Sequence, residues 1–154
     1  MTDVLFYHLE RAGLDDVLPG LLEKSRERHW RALVKLGSEE RLEELDAFLW
    51  TFREDSFLPH ASYRDARVAD QPIVLTIGDE NPNASNIVFY ADGAMPHDWS
   101  ATRFEGIARI VVLFDGRDPS AMEAARDNWK KARAAGYEAT YWQQTAEGRW
   151  EKRA

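Results

Sequence analysis

The sequence predicts an α/β fold, a single doubly wound domain with a mostly parallel sheet flanked by helices and a C-terminal strand or hairpin. Short apolar runs of strand length alternate along the chain with amphipathic segments of helix length. The 154 residues contain neither an internal repeat nor a low-complexity linker, so we expect one domain over residues 1–154. Near the end, two strand-like segments flank Ala146-Glu147-Gly148, a sequence typical of a hairpin turn.

The chain begins with a strand and a helix. Val4–Leu9 is mostly apolar and aromatic, which is typical of a buried strand. Gly13 then interrupts the pattern, and apolar residues at helical spacing follow it. Because proline is tolerated only in the first turn of a helix, we expect this helix to begin between Asp15 and Pro19.

A second strand and a second helix come next. Arg31–Leu36 is strand-like, and Ser38 is a favourable N-cap for the helix after it. The apolar residues of that helix recur at helical spacing and form its predicted buried stripe: Leu42, Leu45, Phe48 and Leu49. Beyond it, residues 50–60 are expected to form an extended loop or helix exit, since the residue before Pro59 avoids helical dihedrals.

The remaining elements follow the same alternation. We expect strands over Ile73–Ile77, Asn86–Tyr90, Ile107–Phe114, Glu138–Gln143 and Arg149–Lys152. Ile107–Phe114 is the most apolar run and should be a central strand. Asp118-Pro119-Ser120 opens a helix that runs to Ala135, and Gly136 ends it.

Composition argues against several classes of protein. The formal net charge is -7, which disfavours binding to nucleic acid through a generally basic surface. No cysteine is present, which excludes disulfides and thiolate chemistry. The N-terminus lacks the pattern of a signal peptide and no apolar run is long enough to span a bilayer, so we expect a cytoplasmic protein.

The sequence contains no recognisable catalytic, cofactor or metal motif. Glu10-Arg11-Ala12-Gly13 follows the first strand with a single glycine, whereas a dinucleotide site needs several. None of the four histidines has a metal-type partner at helical spacing. We therefore expect neither catalytic residues, cofactor nor metal, although a small nucleotide-dependent enzyme on this fold remains an alternative.

The helix from Ser120 to Ala135 carries the strongest functional pattern. One side is a stripe of small residues suited to packing on the sheet: Ala121, Ala124, Ala125, Asn128, Ala132 and Ala135. The other side carries cations around a tryptophan that we expect to be exposed: Met122, Arg126, Trp129, Lys130 and Arg133. Residues 126–133 contain four basic residues and one acid, giving +3, so the remainder of the chain carries -10.

This face has three possible interpretations. It can be a solvated surface in which cationic stems cover the ring. It can be an anchor for an acidic peptide with an aromatic side chain, because Trp and Arg are enriched at binding hot spots and Arg binds carboxylates bidentately. Single-stranded DNA could stack on Trp129, but the acidic remainder of the chain would repel it. The peptide interpretation is favoured.

A second aromatic cluster lies between the second helix and the third predicted strand. It contains Trp50, Phe52, Phe57, Pro59 and His60. Aromatic residues in a connection either close the core or form a contact patch, and the pattern slightly favours the core. Trp50 follows Leu49 on the helix, so both cannot point straight inward.

These segments resemble the chi subunit of bacterial DNA polymerase III, an accessory protein of the clamp loader. The resemblance extends over nearly the whole chain and rests on these stretches: Phe6-Tyr7-His8-Leu9, Leu49-Trp50, Ser56-Phe57-Leu58-Pro59-His60, Glu80-Asn81-Pro82-Asn83, residues 125–130, Ala135-Gly136-Tyr137, Thr140-Tyr141-Trp142-Gln143-Gln144 and residues 148–152. Each motif is weak by itself, and their order and spacing make the resemblance specific.

The resemblance implies a Rossmann-like, non-enzymatic fold that links the clamp loader to single-stranded DNA-binding protein. The acidic C-terminal tail of that protein would bind Arg126, Trp129, Lys130 and Arg133. Met122 stands where some members of the family have a basic residue, so this side of the expected binding site is less positively charged.

The resemblance also implies a second interface. Trp50, Phe57, Pro59 and His60 would contact a psi-type subunit and, through it, the clamp loader. It implies no direct contact with nucleic acid or membrane.

Overall fold

The computed structural model describes residues 2–52 and 58–154. In these ranges the strands are β1 (Asp3–Leu9), β2 (Ala32–Lys35), β3 (Ala61–Ser62), β4 (Ile73–Thr76), β5 (Ile87–Tyr90), β6 (Arg109–Asp115), β7 (Glu138–Gln144) and β8 (Trp150–Lys152). The helices are α1 (Leu14–Glu27), α2 (Glu39–Thr51) and α3 (Pro119–Ala134), with a short 3₁₀ turn at Val68–Asp70.

The described strands form one sheet in the order β3-β4-β2-β5-β6-β1-β7-β8. Neighbouring strands are parallel except for β7 and β8, which form the antiparallel C-terminal hairpin. Helices α1 and α2 contribute to the core on one face, while α3 and the segment containing Trp99 and Phe104 contribute to the core on the other. The predicted fold class is therefore confirmed.

The centre of the sheet follows from the hydrophobic pattern. Every residue of β6 from Ile110 to Phe114 is buried, because helices cover both faces of the sheet. β6 lies beside β1, with Val112 opposite Phe6. The strand that the sequence identified as central occupies the middle of the sheet.

The start of α1 differs from the prediction. The helix begins at Leu14, before the expected range, and Pro19 lies in its interior. The Asp16 carboxylate accepts a hydrogen bond from the Gly13 N–H at 3.0 Å, which fixes the N-terminus there. Proline removes the N–H that would bond to the Asp15 carbonyl. Asp15 is exposed, so water can satisfy that carbonyl, while the Pro19 ring is buried.

The start of α2 and both ends of α3 agree with the prediction to within one residue, whereas α2 continues to Thr51, two residues into the predicted loop. Ser38 caps α2 by accepting a hydrogen bond from the Arg41 N–H at 3.2 Å. Asp118 caps α3 by accepting from the Ser120 N–H at 3.0 Å. Gly136, at a φ of 93°, provides the left-handed conformation that ends α3.

The small-residue stripe of α3 packs on the sheet, but it is narrower than predicted. Ala125, Asn128 and Ala132 are buried, whereas Ala135 is exposed because it lies just past the helix end. The Asn128 side chain accepts a hydrogen bond from the Trp99 indole N–H at 3.0 Å. This contact ties α3 to the segment before β6 and fixes which side of the helix faces away from the sheet.

Within the described ranges, every helix is too short or too polar to cross a membrane.

Candidate functional site

An open cleft, called the α3 cleft below, lies between α3 and the edge of the sheet that it covers. Its volume is about 320 Å³. The helix forms one wall and the strands β6 and β7 form the other, with these lining residues: Phe114, Met122, Ala125, Arg126, Trp129, Tyr141 and Ala154. The lining is largely hydrophobic, and Arg126 is its one cationic side chain.

Trp129 is half-buried rather than exposed, which corrects the expectation from sequence. Its ring meets Phe6 edge-on at a centroid distance of 5.6 Å and Tyr141 at 6.1 Å. Position 129 lies next to the buried stripe, since Ala125 and Ala132 are four residues before and three after it. A side chain as long as tryptophan reaches from there onto the sheet, so Trp129 is a fixed wall of the cleft.

The cations of α3 do not all serve this cleft. Arg126 lines it, and the Arg133 guanidinium lies 5.4 Å from the centroid of the Trp129 ring. Lys130 does not line the cleft but lies in a neighbouring groove on the outer side of the helix, which it shares with Arg126 and Asp127. Arg126, Lys130 and Arg133 have no carboxylate within 4.0 Å among the described residues, whereas Lys131 pairs with Asp127 at 3.0 Å. The structure therefore brings Met122, Arg126, Trp129 and Arg133 together and leaves Lys130 outside.

Two wall residues were missed from sequence. Phe114 is the second-last residue of β6, and Tyr141 lies in β7, where it is the register partner of Phe6 in β1. Burial raises the pKa of Tyr141, while the nearby Arg126 acts to lower it. The Tyr141 hydroxyl therefore stays protonated at physiological pH, near the Arg126 side chain that also lines the cleft.

His8 lies behind Tyr141 and fixes its position. The His8 Nδ1 is 2.6 Å from the Tyr141 hydroxyl oxygen, a hydrogen-bond distance. His8 is itself buried. A Cβ at Gly116 would lie 1.8 Å from the His8 Nε2, so only glycine leaves room for the imidazole there.

A second candidate surface lies at the end of α2. We call Trp50, Pro59 and His60 the Trp50 patch. Trp50 is 47% exposed, and its ring lies over the His60 ring at a centroid distance of 4.2 Å. Pro59 is half-buried beside them. Phe57, the fourth residue predicted for this surface, lies outside the described residues.

His60 is the buried anchor of the Trp50 patch. Its Nδ1 is 2.7 Å from the Leu58 carbonyl oxygen, and its Nε2 is 3.0 Å from Oδ1 of Asp46. These contacts fasten the segment after α2 to the helix itself. Within this cluster His60 is thus buried, whereas Trp50 is exposed.

No metal centre can be assembled from the described residues. None of their His, Asp and Glu side chains come together in a group of three or more that could hold an ion.

Comparison with known proteins gives a consistent result. A family model described as "DNA polymerase III chi subunit, HolC" matches residues 1–140. The chain is 29% identical to the DNA polymerase III subunit chi of Pseudomonas aeruginosa over 144 residues, covering 89% of this chain and 93% of that protein. It is 27% identical to the probable DNA polymerase III subunit chi of Rickettsia prowazekii over 88 residues, covering 57% and 53%.

Proposed function

The chain belongs to the DNA polymerase III chi subunit family, and from this premise we propose that it is a non-catalytic accessory subunit of the replicative polymerase. In this role it links the clamp loader, through a psi-type subunit, to the acidic C-terminal tail of single-stranded DNA-binding protein. The observation that carries the proposal is the α3 cleft. It is a largely hydrophobic cavity lined by Arg126, which has no carboxylate partner among the described residues.

The shape and lining of the α3 cleft suit one aromatic side chain. A volume of about 320 Å³ is near the lower end of the range of about 300–1,000 Å³ typical of ligand pockets. Trp129, Phe114 and Tyr141 present aromatic surfaces from different directions, which favours edge-to-face contacts with an inserted ring. The wall is preorganised, because Trp129 already packs on Phe6.

The charge distribution suits an acidic peptide whose last residue enters the cleft. A guanidinium can bind a terminal carboxylate bidentately, and Arg126 stands where the peptide would enter. Lys130 and Arg133 lie about one and two turns beyond Arg126 along α3 and can attract acidic residues that precede the aromatic one. Since the whole chain carries a net charge of -7, attraction of such a peptide requires a local cluster of cations like the one on this helix.

We assign the Trp50 patch to a psi-type subunit. Exposed tryptophans are typical centres of protein interfaces, and Trp50 is 47% exposed. His60 and Pro59 form a firm base beneath it. The patch and the α3 cleft lie on opposite faces of the sheet, because α2 packs with one core cluster and Trp129 with the other. Both partners could therefore bind at once.

The direct test is a titration of a fluorescent peptide made of several aspartates followed by a C-terminal phenylalanine. We expect micromolar binding that weakens with salt, since screening acts on exposed charges. Arg126→Glu should weaken binding at least about a hundredfold, because it replaces an attraction with a repulsion at the carboxylate.

Lys131→Glu is the matched control, with the same charge change on the same helix. Lys131 is paired with Asp127 and does not line the cleft, so its replacement should change the affinity no more than about threefold. Equal losses in both variants would mean that only the general charge of α3 matters, and the proposed site would be wrong.

A further inference from the structure

A second, smaller cleft lies on the sheet face opposite to the α3 cleft. We call it the Trp30 cleft, after a lining residue that lies two positions before β2. Its volume is about 180 Å³, and it opens between the C-terminal half of α1 and the sheet. The floor is apolar and belongs to the core cluster beneath α1 and α2: Ile87, Phe89 and Val111.

Three cations converge on the Trp30 cleft. Lys24 and Arg28 come from the end of α1, and Arg109 comes from the start of β6. The two guanidinium carbons lie 5.0 Å (Arg28) and 5.4 Å (Arg109) from the centroid of the Trp30 ring. Cation–π contact with one ring thus holds two like charges beside the same cavity.

None of these cations has a short ion pair among the described residues. Lys24 and Arg28 have no carboxylate within 4.0 Å among the described residues, and Arg109 reaches Asp3 only at 4.0 Å. The Arg109 Nε is buried and has no hydrogen-bond acceptor among those residues. A buried donor without an acceptor is costly, so the described residues leave the Arg109 guanidinium incompletely satisfied.

A neutral donor completes the cavity. Tyr7 lines it, and burial raises the pKa of this phenol while Arg109 and Arg28 act to lower it. Tyr7 therefore keeps its proton at physiological pH and lies close enough to both guanidiniums to feel their charge. The cleft then offers two forked cationic donors, one ammonium and one hydroxyl.

A purely structural role explains only part of this arrangement. Lys24 and Arg28 stand at the C-terminal end of α1, where cations offset the helix dipole. That effect does not account for Arg109, which enters from the sheet and adds repulsion. A ligand with at least two negative charges would relieve the repulsion among all three.

We propose that the Trp30 cleft binds the phosphate group of a nucleotide. Guanidinium pairs match phosphate oxygens bidentately, and the combined charge of the three cations suits phosphate better than a single carboxylate. Aromatic rings that could stack against bases lie beside it, since Tyr7 contacts Trp150 at 4.8 Å and Trp142 at 6.4 Å between centroids. The nucleotide can be free or part of a single strand.

The test uses the full chain labelled with ¹⁵N, in which each tryptophan indole N–H gives its own signal. Inorganic pyrophosphate, thymidine triphosphate and a short 5′-phosphorylated oligothymidylate are titrated separately at low salt. We expect the Trp30 indole to shift with the two nucleotide probes. Tighter binding of the oligonucleotide assigns a single strand as the source of the phosphate, and tighter binding of the triphosphate assigns a free nucleotide.

Variants locate the site. Arg28→Gln and Arg109→Gln should each weaken nucleotide binding about tenfold, through loss of charge-assisted hydrogen bonds. Arg28 is exposed, so its replacement should keep the fold even if that of Arg109 does not. Arg26→Gln is the matched control, since Arg26 is an exposed arginine of α1 that does not line the cleft.

The proposal is overturned if no phosphate probe moves the Trp30 signal, or if Arg28→Gln binds nucleotide as tightly as the parent. It is also overturned if an acidic peptide binds the Trp30 cleft more tightly than either nucleotide. Binding of such a peptide at the α3 cleft bears only on the proposed function, because the two clefts have separate tryptophan reporters.

Discussion

The two tryptophans assigned to partner binding are held in opposite ways. Trp129 is half-buried, packed edge-on against Phe6 and Tyr141, and forms the wall of a concave site. Trp50 is 47% exposed and stands above the buried His60, so it forms a projection. A concave site receives a side chain from its partner, whereas a projecting tryptophan enters a pocket on its partner. The stability of the fold should therefore depend more on Trp129 than on Trp50.

The largest difference should appear in unfolding experiments on alanine variants. Trp129→Ala removes packing against the sheet and should lower the free energy of unfolding by about 3 kcal/mol, as for large aromatic side chains in cores. Trp50→Ala should cost about 1 kcal/mol or less, because half of the ring is already in water. Urea denaturation followed by circular dichroism measures both. Equal losses of stability in the two variants would contradict the distinction between a packed Trp129 and a projecting Trp50.

Within the Trp50 patch, His60 should contribute most to the free energy of unfolding. His60→Ala breaks the bonds to Leu58 and Asp46 and leaves the Leu58 carbonyl without its partner. We expect a loss of about 2 kcal/mol, since each unsatisfied buried group costs about 1–3 kcal/mol. The exposed His97 provides the control, and His97→Ala should change stability by less than about 0.5 kcal/mol.

Peptide affinity distinguishes the cations within the α3 surface. Arg126→Ala should weaken binding of the aspartate–phenylalanine peptide about tenfold, because it removes a charged hydrogen bond to the carboxylate. Lys130→Ala should weaken it only about twofold, since Lys130 lies in the neighbouring groove and acts through screened charge. A larger loss for Lys130 than for Arg126 would move the binding site to the outer side of the helix.

The smallest expected effect is the contribution of Tyr141, in the wall of the concave site, to the pH dependence of stability. Burial raises the folded-state pKa of Tyr141 above its ordinary value of 10.0, so the unfolded chain releases this proton first. The stability due to the neutral phenol is complete below pH 10 and is lost as pH rises through the folded-state value. Tyr141→Phe should therefore reduce the drop in urea midpoint between about pH 9 and about pH 11. An unchanged drop would show that Tyr141 ionises like an exposed tyrosine.

Much of the fold follows from the sequence because its signals are local. The apolar run at Ile107–Phe114 identified the central strand, and Ser38 marked a helix start through its own side chain. The two-residue strand β3 carries no periodicity and was missed. The start of α1 was wrong because the Asp16 cap and the solvated Asp15 carbonyl offset the interior proline.

The candidate site was predictable only where it lies on one helix. Helical spacing brought Met122, Arg126 and Trp129 to one side of α3. Phe114 and Tyr141 reach the cleft through the register of β6, β1 and β7, which joins residues distant in sequence. Spacing also could not show that Lys130 lies outside the cleft. Residues four apart differ by only about 40° around a helix, so spacing places Lys130 on the same side as Arg126.

The central claim, that the α3 cleft receives the aromatic end of an acidic peptide, can be tested with the indole signals of the six tryptophans. Titration of the ¹⁵N-labelled protein with the aspartate–phenylalanine peptide should shift the Trp129 indole most and leave Trp30 and Trp50 unchanged. The same peptide with an amidated C-terminus should bind at least about tenfold more weakly, since Arg126 loses its carboxylate. A titration that shifts Trp50 or Trp30 while Trp129 stays fixed would contradict the claim.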